Sequence, residues 1–273
     1  VKTTMKREIP FRCLSILLLL CTGLSGFSLA ALPWLVRDIN TREGGSSPAS
    51  FAEMNGAVFF TAKNVEHGRE LWKTDGSGPG TKLIKDILPG NAGSSPYQIV
   101  NANGILYIFI NNKGITWQLW RSDGTEEGTT LLAGTLPGIT RRTVSLNGLM
   151  YCALGGTLWK SDGTPEGTRM TTSKMTNLMD LIVYSDSLFC CDQYLWKSDG
   201  TDTGTSMLVH PDPSQGFDLP ASPAIVRGNL FFSAFSSIHG PALWKTDGTS
   251  TGTVMVKDIG PETDRSSPSP FNL

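Results

Sequence analysis

Five aspartates recur in one sequence context, and carboxylates at such positions either bind a cation or close a turn. Each lies three residues after a tryptophan and directly before a glycine; the pairs are Trp72 with Asp75, Trp120 with Asp123, Trp159 with Asp162, Trp196 with Asp199 and Trp244 with Asp247. Calcium takes six to eight oxygen ligands, whereas the turn shared by all five copies offers one carboxylate. A short carboxylate accepts hydrogen bonds from N–H groups two residues further on, and the glycine suits a tight turn. We therefore predict structural turns and no cofactor, with calcium binding as the alternative.

Catalytic motifs are missing from the sequence. It has three histidines and contains neither His-Glu-x-x-His nor Gly-x-Ser-x-Gly. Glycoside-processing enzymes need two carboxylates that face each other, and acids such as Glu53, Asp180 and Asp218 follow no pattern that pairs them. We therefore predict no catalytic residue, with a glycoside-processing enzyme kept as an alternative.

Polar and aromatic residues occur in segments whose length differs from copy to copy. The segments before the Leu-Trp pair are long in copies one, two and five and nearly absent in copies three and four. Binding residues tend to lie on variable loops above a rigid scaffold, and an aromatic side chain flanked by polar groups can stack on a sugar. The predicted site for a glycan or surface-protein ligand therefore consists of His67, Arg69, Asn111, Trp117 and His239. The alternative is that each of them is a solvated loop residue. The protein would then be a purely structural segment of a larger cell-surface protein.

Short strands must position these segments. In the first copy the pattern predicts strands at 50–54, 57–62, 70–74 and 81–87, with a hairpin turn at Asn55-Gly56. Similar turns are predicted at Asn103-Gly104, Asn147-Gly148, Ser185-Asp186-Ser187 and Gly228-Asn229. Leucine and tryptophan are adjacent in the third strand and so point to opposite faces. A sheet with two apolar faces must lie between two neighbouring sheets.

The whole unit is similar to a known repeat. Copies such as Leu71-Trp72-Lys73-Thr74-Asp75-Gly76, with tryptophans spaced by 48, 39, 37 and 48 residues, resemble the ELWxxDGT repeats of bacterial secreted proteins. The turn also resembles the Asp-box of sialidase-type propellers. The resemblance implies an all-β fold, a β-propeller of about five four-stranded antiparallel blades. Only the first copy has the leading glutamate, Glu70, so tryptophan, aspartate and glycine form the framework.

The repeats cover residues 31–259, with units at about 50–87, 98–136, 143–172, 178–209 and 222–259. An extra leading strand is predicted at 35–39, because it matches the fourth strand of the first unit. Residues 260–273 are the start of a further repeat or a tail, since Ser266-Ser267-Pro268 repeats Ser46-Ser47-Pro48. Two alternatives follow: five blades with an extra strand at the rim, or the front part of a longer array with an incomplete sixth blade.

Residues 1–30 have the pattern of a signal peptide. Basic residues precede the apolar run 14–20, and Ser28-Leu29-Ala30 has the small residues of a cleavage site. We therefore expect a secreted, periplasmic or cell-surface protein without a transmembrane span after cleavage. Removing this segment takes away four of 23 basic and one of 24 acidic residues, which leaves a net charge of −4. A mildly acidic module does not suit nucleic acid as a partner.

Three cysteines follow the predicted cleavage site: Cys152, Cys190 and Cys191. Cys152 and Cys190 align with buried strand positions of the other units, which predicts small apolar core residues. A disulfide between Cys152 and Cys190 is the alternative, although equivalent positions on neighbouring blades are usually too far apart.

Overall fold

The computed structural model describes residues 35–41, 44–112, 116–138, 140–208, 217–236 and 239–258. Over these ranges the protein is all-β, with five four-stranded antiparallel sheets. Each sheet consists of four consecutive strands in chain order. Residues 1–30 and 260–273, which the sequence assigns to a signal peptide and to a further repeat, lie outside the described ranges. No helix in the described part of the chain is long and apolar enough to cross a membrane.

Twenty strands form the five sheets. Sheets one to three contain, in order, β1 (Ala49–Met54), β2 (Ala57–Asn64), β3 (Gly68–Thr74) and β4 (Lys82–Lys85); β5 (Pro96–Ala102), β6 (Ile105–Asn112), β7 (Thr116–Ser122) and β8 (Thr130–Leu136); β9 (Thr140–Leu146), β10 (Leu149–Leu154), β11 (Thr157–Ser161) and β12 (Arg169–Thr172). Sheets four and five contain β13 (Asp180–Tyr184), β14 (Ser187–Cys191), β15 (Leu195–Ser198) and β16 (Ser206–Leu208); β17 (Asp218–Val226), β18 (Asn229–Ser236), β19 (Gly240–Thr246) and β20 (Val254–Asp258). The four strands predicted in the first unit are confirmed to within two residues.

The hairpin turn of the fifth sheet lies one residue earlier than predicted. Arg227 and Gly228 have φ of 50° and 75°, and Asn229 already belongs to β18. The prediction of a Gly228-Asn229 turn was therefore wrong. A two-residue turn of this type needs positive φ at both positions, and here an arginine occupies the first of them as Asn55 does in the first sheet.

Consecutive sheets pack through the two sides of the Leu-Trp pair. Phe59 and Leu71 of the first sheet pack against Ile108 and Trp120 of the second, so the predicted opposite orientation of leucine and tryptophan is confirmed. Comparable clusters join the second sheet to the third, the third to the fourth and the fourth to the fifth. Burial of one such side chain contributes about 1.5–3 kcal/mol. A sheet between two neighbours is therefore stabilised on both faces.

The first strands of successive sheets also pack together, β1 on β5, β5 on β9, β9 on β13 and β13 on β17. Among the described strands, the fifth sheet does not pack extensively against the first. The architecture shown is therefore a consecutive series of five antiparallel sheets.

The predicted leading strand at 35–39 is not a strand of any described sheet. Two of its residues contact the first sheet: an Arg37 Nη donates to the carbonyl oxygen of Thr81, and Ile39 packs against Phe60 and Trp72. A strand needs a neighbour that completes its ladder of hydrogen bonds. No described strand forms a ladder of hydrogen bonds with this segment.

The three cysteines are free and buried. Cys152 lies in β10 of the third sheet and Cys190 in β14 of the fourth, and both are fully excluded from solvent. Burial raises the pKa of both thiols well above the ordinary value. They therefore behave as small core side chains, because reaction needs the thiolate.

Each Asp-Gly turn holds the same network of hydrogen bonds, shown here for the third sheet. Asp162 Oδ1 accepts the N–H of Thr164 at 2.8 Å and its hydroxyl at 2.7 Å. The Thr164 hydroxyl oxygen accepts the N–H of Gly167 at 3.0 Å. Behind the turn, the hydroxyl groups of Ser161 and Thr168 pair at 2.7 Å. The aspartate thus closes the turn through hydrogen bonds that are made within it.

The glycine five residues after each aspartate makes room for the carboxylate. A Cβ atom at Gly167 would lie 2.0 Å from Asp162 Oδ1, and the equivalent glycines Gly80, Gly128, Gly204 and Gly252 show the same close approach to their own aspartates. The sequence shows that this glycine recurs, but only the folded turn supplies the reason.

We expect Gly167→Ala to lower the free energy of unfolding by about 1–3 kcal/mol, because the new Cβ displaces the Asp162 carboxylate. The double variant Gly167→Ala/Asp162→Ala should lose less stability than the sum of the losses in the two single variants, since the alanine at 162 removes the clash. Urea unfolding of the wild type, the two single variants and the double variant measures this. The control is Gly45→Ala, where a Cβ meets nothing within 4 Å; additive losses would contradict the account.

We also expect these turns to weaken in acid. The hydroxyl and backbone N–H of Thr164 lower the pKa of Asp162 below its ordinary value of 3.8. A carboxyl group with a lowered pKa in the folded state stabilises the fold above its unfolded pKa, and that contribution is lost as the pH falls through the folded pKa. Asp162→Asn should therefore flatten the acid side of the stability profile measured by urea unfolding between about pH 2 and 5. An unchanged profile would argue against it.

Candidate functional site

A cavity of about 440 Å³ opens between the first and second sheets, at the edge that carries the loops between second and third strands. Three of the five predicted ligand residues, Arg69, Asn111 and Trp117, line it. Its other lining residues come from the starts of β1 and β5, from Thr61 and from Ser95. The structure therefore brings together residues that are separated by more than forty positions in the sequence.

An aromatic pair forms one wall of this cavity. Tyr97 and Trp117 meet edge to face, with ring centroids 5.6 Å apart and an interplanar angle of 82°. Tyr97 is 55% exposed, so its ring faces solvent. Tyr97 was not among the predicted ligand residues. It lies in β5, the first strand of its sheet, and only the packing of two sheets places it beside Trp117.

Arg69 supplies the charge in the cavity lining. One of its Nη atoms donates to the carbonyl oxygen of Ser47 at 2.8 Å and to the hydroxyl of Thr61 at 3.0 Å. These bonds fix the guanidinium group at the mouth of the cavity. Asn111, opposite Trp117 in the β6–β7 ladder, adds an amide. Aromatic surface with a few fixed polar groups is the usual composition of a ligand pocket.

Glu70 positions the loop that leads into β5. Its carboxylate is fully buried and accepts the N–H of Leu88 at 3.2 Å, the N–H of Ser94 at 2.7 Å and the hydroxyl of Ser94 at 2.5 Å. Burial raises the pKa of this carboxyl group, and the hydrogen bonds from Ser94 and Leu88 partly offset that rise. The single leading glutamate among the five copies thus anchors the segment that carries Tyr97.

The same loop approaches β3 backbone to backbone. Arg69 and Gly93 form a parallel bridge, and the N–H of Ser95 donates to the carbonyl oxygen of Arg69 at 3.0 Å. A Cβ at Gly68 would lie 2.4 Å from the nitrogen of Gly93, and both glycines have φ of 65°. Two glycines are therefore required for this contact, which holds the loop before β5 against the backbone of Arg69.

The two predicted histidines lie outside the cavity. His67 lines a separate cleft beside residues 37–41, and its Nδ1 lies 2.8 Å from Asp86 Oδ2. His239 lies directly before β19 in the fifth sheet and is partly exposed. The structure therefore divides the five predicted ligand residues among three places.

The repeat aspartates lie at the opposite edge of the sheets from the cavity, because their turns join third to fourth strands. Within the described ranges, no three acidic, cysteine or histidine side chains gather as they would around a metal ion. Among the acids that the sequence left without a role, Glu53 and Asp218 are exposed, and Asp180 pairs with Arg142 at 2.9 Å.

No family model and no curated protein matches the chain. Solved structures that resemble it include a puromycin hydrolase mutant, with a TM-score of 0.53 and 11% identity over 84% of this chain and 40% of that one. Oligopeptidase B from Leishmania major has a TM-score of 0.51 and 14% identity over 78% and 33%. A prolyl endopeptidase has 0.50 and 10% over 77% and 35%.

At such low identities the likeness concerns the fold alone. These neighbours have propeller-like folds, and the chain spans 33% to 40% of their length. Over the described residues, fold and sheet order therefore define an all-β protein with five four-stranded antiparallel sheets and propeller-like structural neighbours.

We expect Glu70→Ala to lower the free energy of unfolding by about 2–4 kcal/mol, because it leaves the buried N–H group of Ser94 and the partly buried N–H group of Leu88 without this acceptor. Glu70→Gln, which keeps one acceptor oxygen, should cost about half as much. The matched control is Gln118→Ala at the equivalent position of the second copy, where the side chain accepts the Trp120 indole N–H at 3.1 Å. Equal losses at 70 and 118 would contradict the anchoring role.

Proposed function

We propose that the protein is an exported, non-catalytic repeat module that binds a glycan in the cavity between its first and second sheets. The observation that carries this proposal is the edge-to-face pair of Tyr97 and Trp117 beside Arg69 and Asn111. Sugar rings present C–H faces that pack on aromatic rings, while their hydroxyl groups need donors and acceptors at the rim. The cavity offers both kinds of surface, and its volume suits one or two sugar rings.

The remaining parts of the proposal concern architecture and location. The five sheets are blades of a propeller, in which loops at one edge carry the ligand and the uniform turns at the other edge hold the fold. Export rests on the signal-peptide pattern of residues 1–30. Neither nucleic acid nor a metal ion is part of the proposed function. A protein ligand at the same loops is the outcome to be distinguished by experiment.

We expect the protein without residues 1–30 to bind a subset of sugars on a glycan array. Trp117→Ala and Tyr97→Ala should each weaken binding by about tenfold or more in calorimetric titration, because each removes an aromatic ring on which the sugar would pack. The matched control is Tyr194→Ala, which breaks a similar aromatic pair with Trp196 in the fourth sheet and should leave the affinity unchanged.

Two results would contradict the proposal. One is a glycan array on which nothing binds, and the other is a bound glycan whose affinity does not change in either cavity variant. Thermal unfolding of each variant checks that the fold is retained, so that a loss of binding is assigned to the cavity.

A further inference from the structure

The same contact recurs where one sheet meets the next. An aromatic side chain of the second strand and a basic side chain of the third reach the glycine of the Asp-Gly turn in the following sheet. At the first boundary, Phe59 lies against Gly124, and Lys73 Nζ donates to the Gly124 carbonyl oxygen at 2.7 Å. The later boundaries repeat it with Tyr107 and Arg121 on Gly163, Tyr151 and Lys160 on Gly200, and Phe189 and Lys197 on Gly248.

The fifth sheet has the equivalent aromatic and basic side chains, Phe231 and Lys245. Among the described residues, no Asp-Gly turn of a following sheet contacts them. Phe231, opposite Lys245 in the β18–β19 ladder, is only partly buried, whereas its four equivalents are at most 2% exposed. Lys245 is exposed, unlike the partly buried basic residues of the other sheets. The face of the fifth sheet that should meet a following sheet is therefore open.

The first sheet is open in the complementary way. Gly76 is exposed and a Cβ there would meet nothing within 4 Å, whereas the turn glycines of the other four sheets are buried. Phe51 of β1 is 63% exposed and stacks on Phe60, while Ile99, at the matching position of the second sheet, is 5% exposed. Nothing in the described ranges supplies Gly76 with an aromatic ring and a basic side chain.

The first sheet already has the contact that the outer strand of a preceding sheet would make. An Arg37 Nη donates to the carbonyl oxygens of Thr81 and Gly78, as Lys85 at the end of β4 donates to those of Thr129 and Glu126 in the second sheet. Ile39 packs on the first sheet as Ile87 packs on the second. Residues 36–40 therefore take the place of the outer strand of a preceding sheet.

This placement argues against direct contact between the fifth and first sheets. The fifth sheet already has its own outer strand, β20, which would compete with residues 36–40 for the same place. What fits between the two open faces is the inner part of one more sheet. Its second and third strands would bring an aromatic and a basic residue to Gly76, and its Asp-Gly turn would receive Phe231 and Lys245.

We propose that these two faces are a docking surface for the three inner strands of one further repeat of the same kind, which residues 36–40 complete as outer strand. The occupant is a repeat that continues from the fifth sheet of the same polypeptide, because Ser266-Ser267-Pro268 repeats the Ser46-Ser47-Pro48 that leads into β1. The inference rests on the sheet boundaries and not on glycan binding, so either can fail without the other.

The test adds such a repeat to the full chain. A copy of residues 97–129, which contains three inner strands and their turn, replaces residues 269–273 after Pro268. We expect the melting temperature to rise by at least about 5 °C. A matched extension that carries Tyr107→Ser and Arg121→Ser in the added copy should give less than half of that rise.

Lys245→Ala distinguishes the possible occupants. It should lower the melting temperature of the extended chain and leave that of the original chain unchanged, whereas Lys73→Ala should lower both. The proposal is overturned if the extension has no effect on melting. It is also overturned if Lys245→Ala destabilises the original chain, which would show direct contact with the first sheet, or if it abolishes a dimer of the original chain in sedimentation, which would show a second copy.

Discussion

Burial of both faces of a four-stranded sheet is the constraint on which the rest of the structure depends. Leucine and tryptophan are adjacent in each third strand and point to opposite faces of the sheet. Both faces are therefore apolar, and each needs a neighbouring sheet to cover it. Leu71, Leu119, Leu158 and Leu195 are all nearly or fully buried because a following sheet covers them, whereas Leu243 of the fifth sheet is only partly buried. Stability of each unit is therefore shared with its neighbours, as in other repeat proteins.

The Asp-Gly turn serves this constraint in two ways. Inside the turn, aspartate, threonine and a second glycine satisfy one another's hydrogen bonds, and the exposed carboxylate needs no partner outside. Outside it, the buried first glycine offers a flat surface and a carbonyl oxygen to the preceding sheet, as Gly124 does for Phe59 and Lys73. A side chain at that glycine would separate the sheets. The most uniform part of the sequence is thus both a local turn and a docking element.

The candidate site arises where the repeats differ. Glu70 occurs in one copy only, and its buried carboxylate holds the loop that brings Tyr97 to Trp117. At the equivalent position the second and third copies use Gln118 and Thr157, which accept hydrogen bonds from their own tryptophans instead. The loop that Glu70 holds therefore carries part of the cavity lining at the boundary between the first and second sheets.

The sequence by itself determined the repeat, its strands, the turn chemistry and the opposite orientation of Leu71 and Trp72, because those features depend on residues that are close along the chain. It also selected Arg69, Asn111 and Trp117 as candidate ligand residues. Only the tertiary structure decided that these three share a cavity while His67 and His239 do not, that Tyr97 belongs with them, and that the segment around Arg37 lies on the first sheet without joining a ladder. The reason is physical: each of these facts depends on how two sheets pack, and packing joins residues whose distance along the chain has no relation to their distance in space.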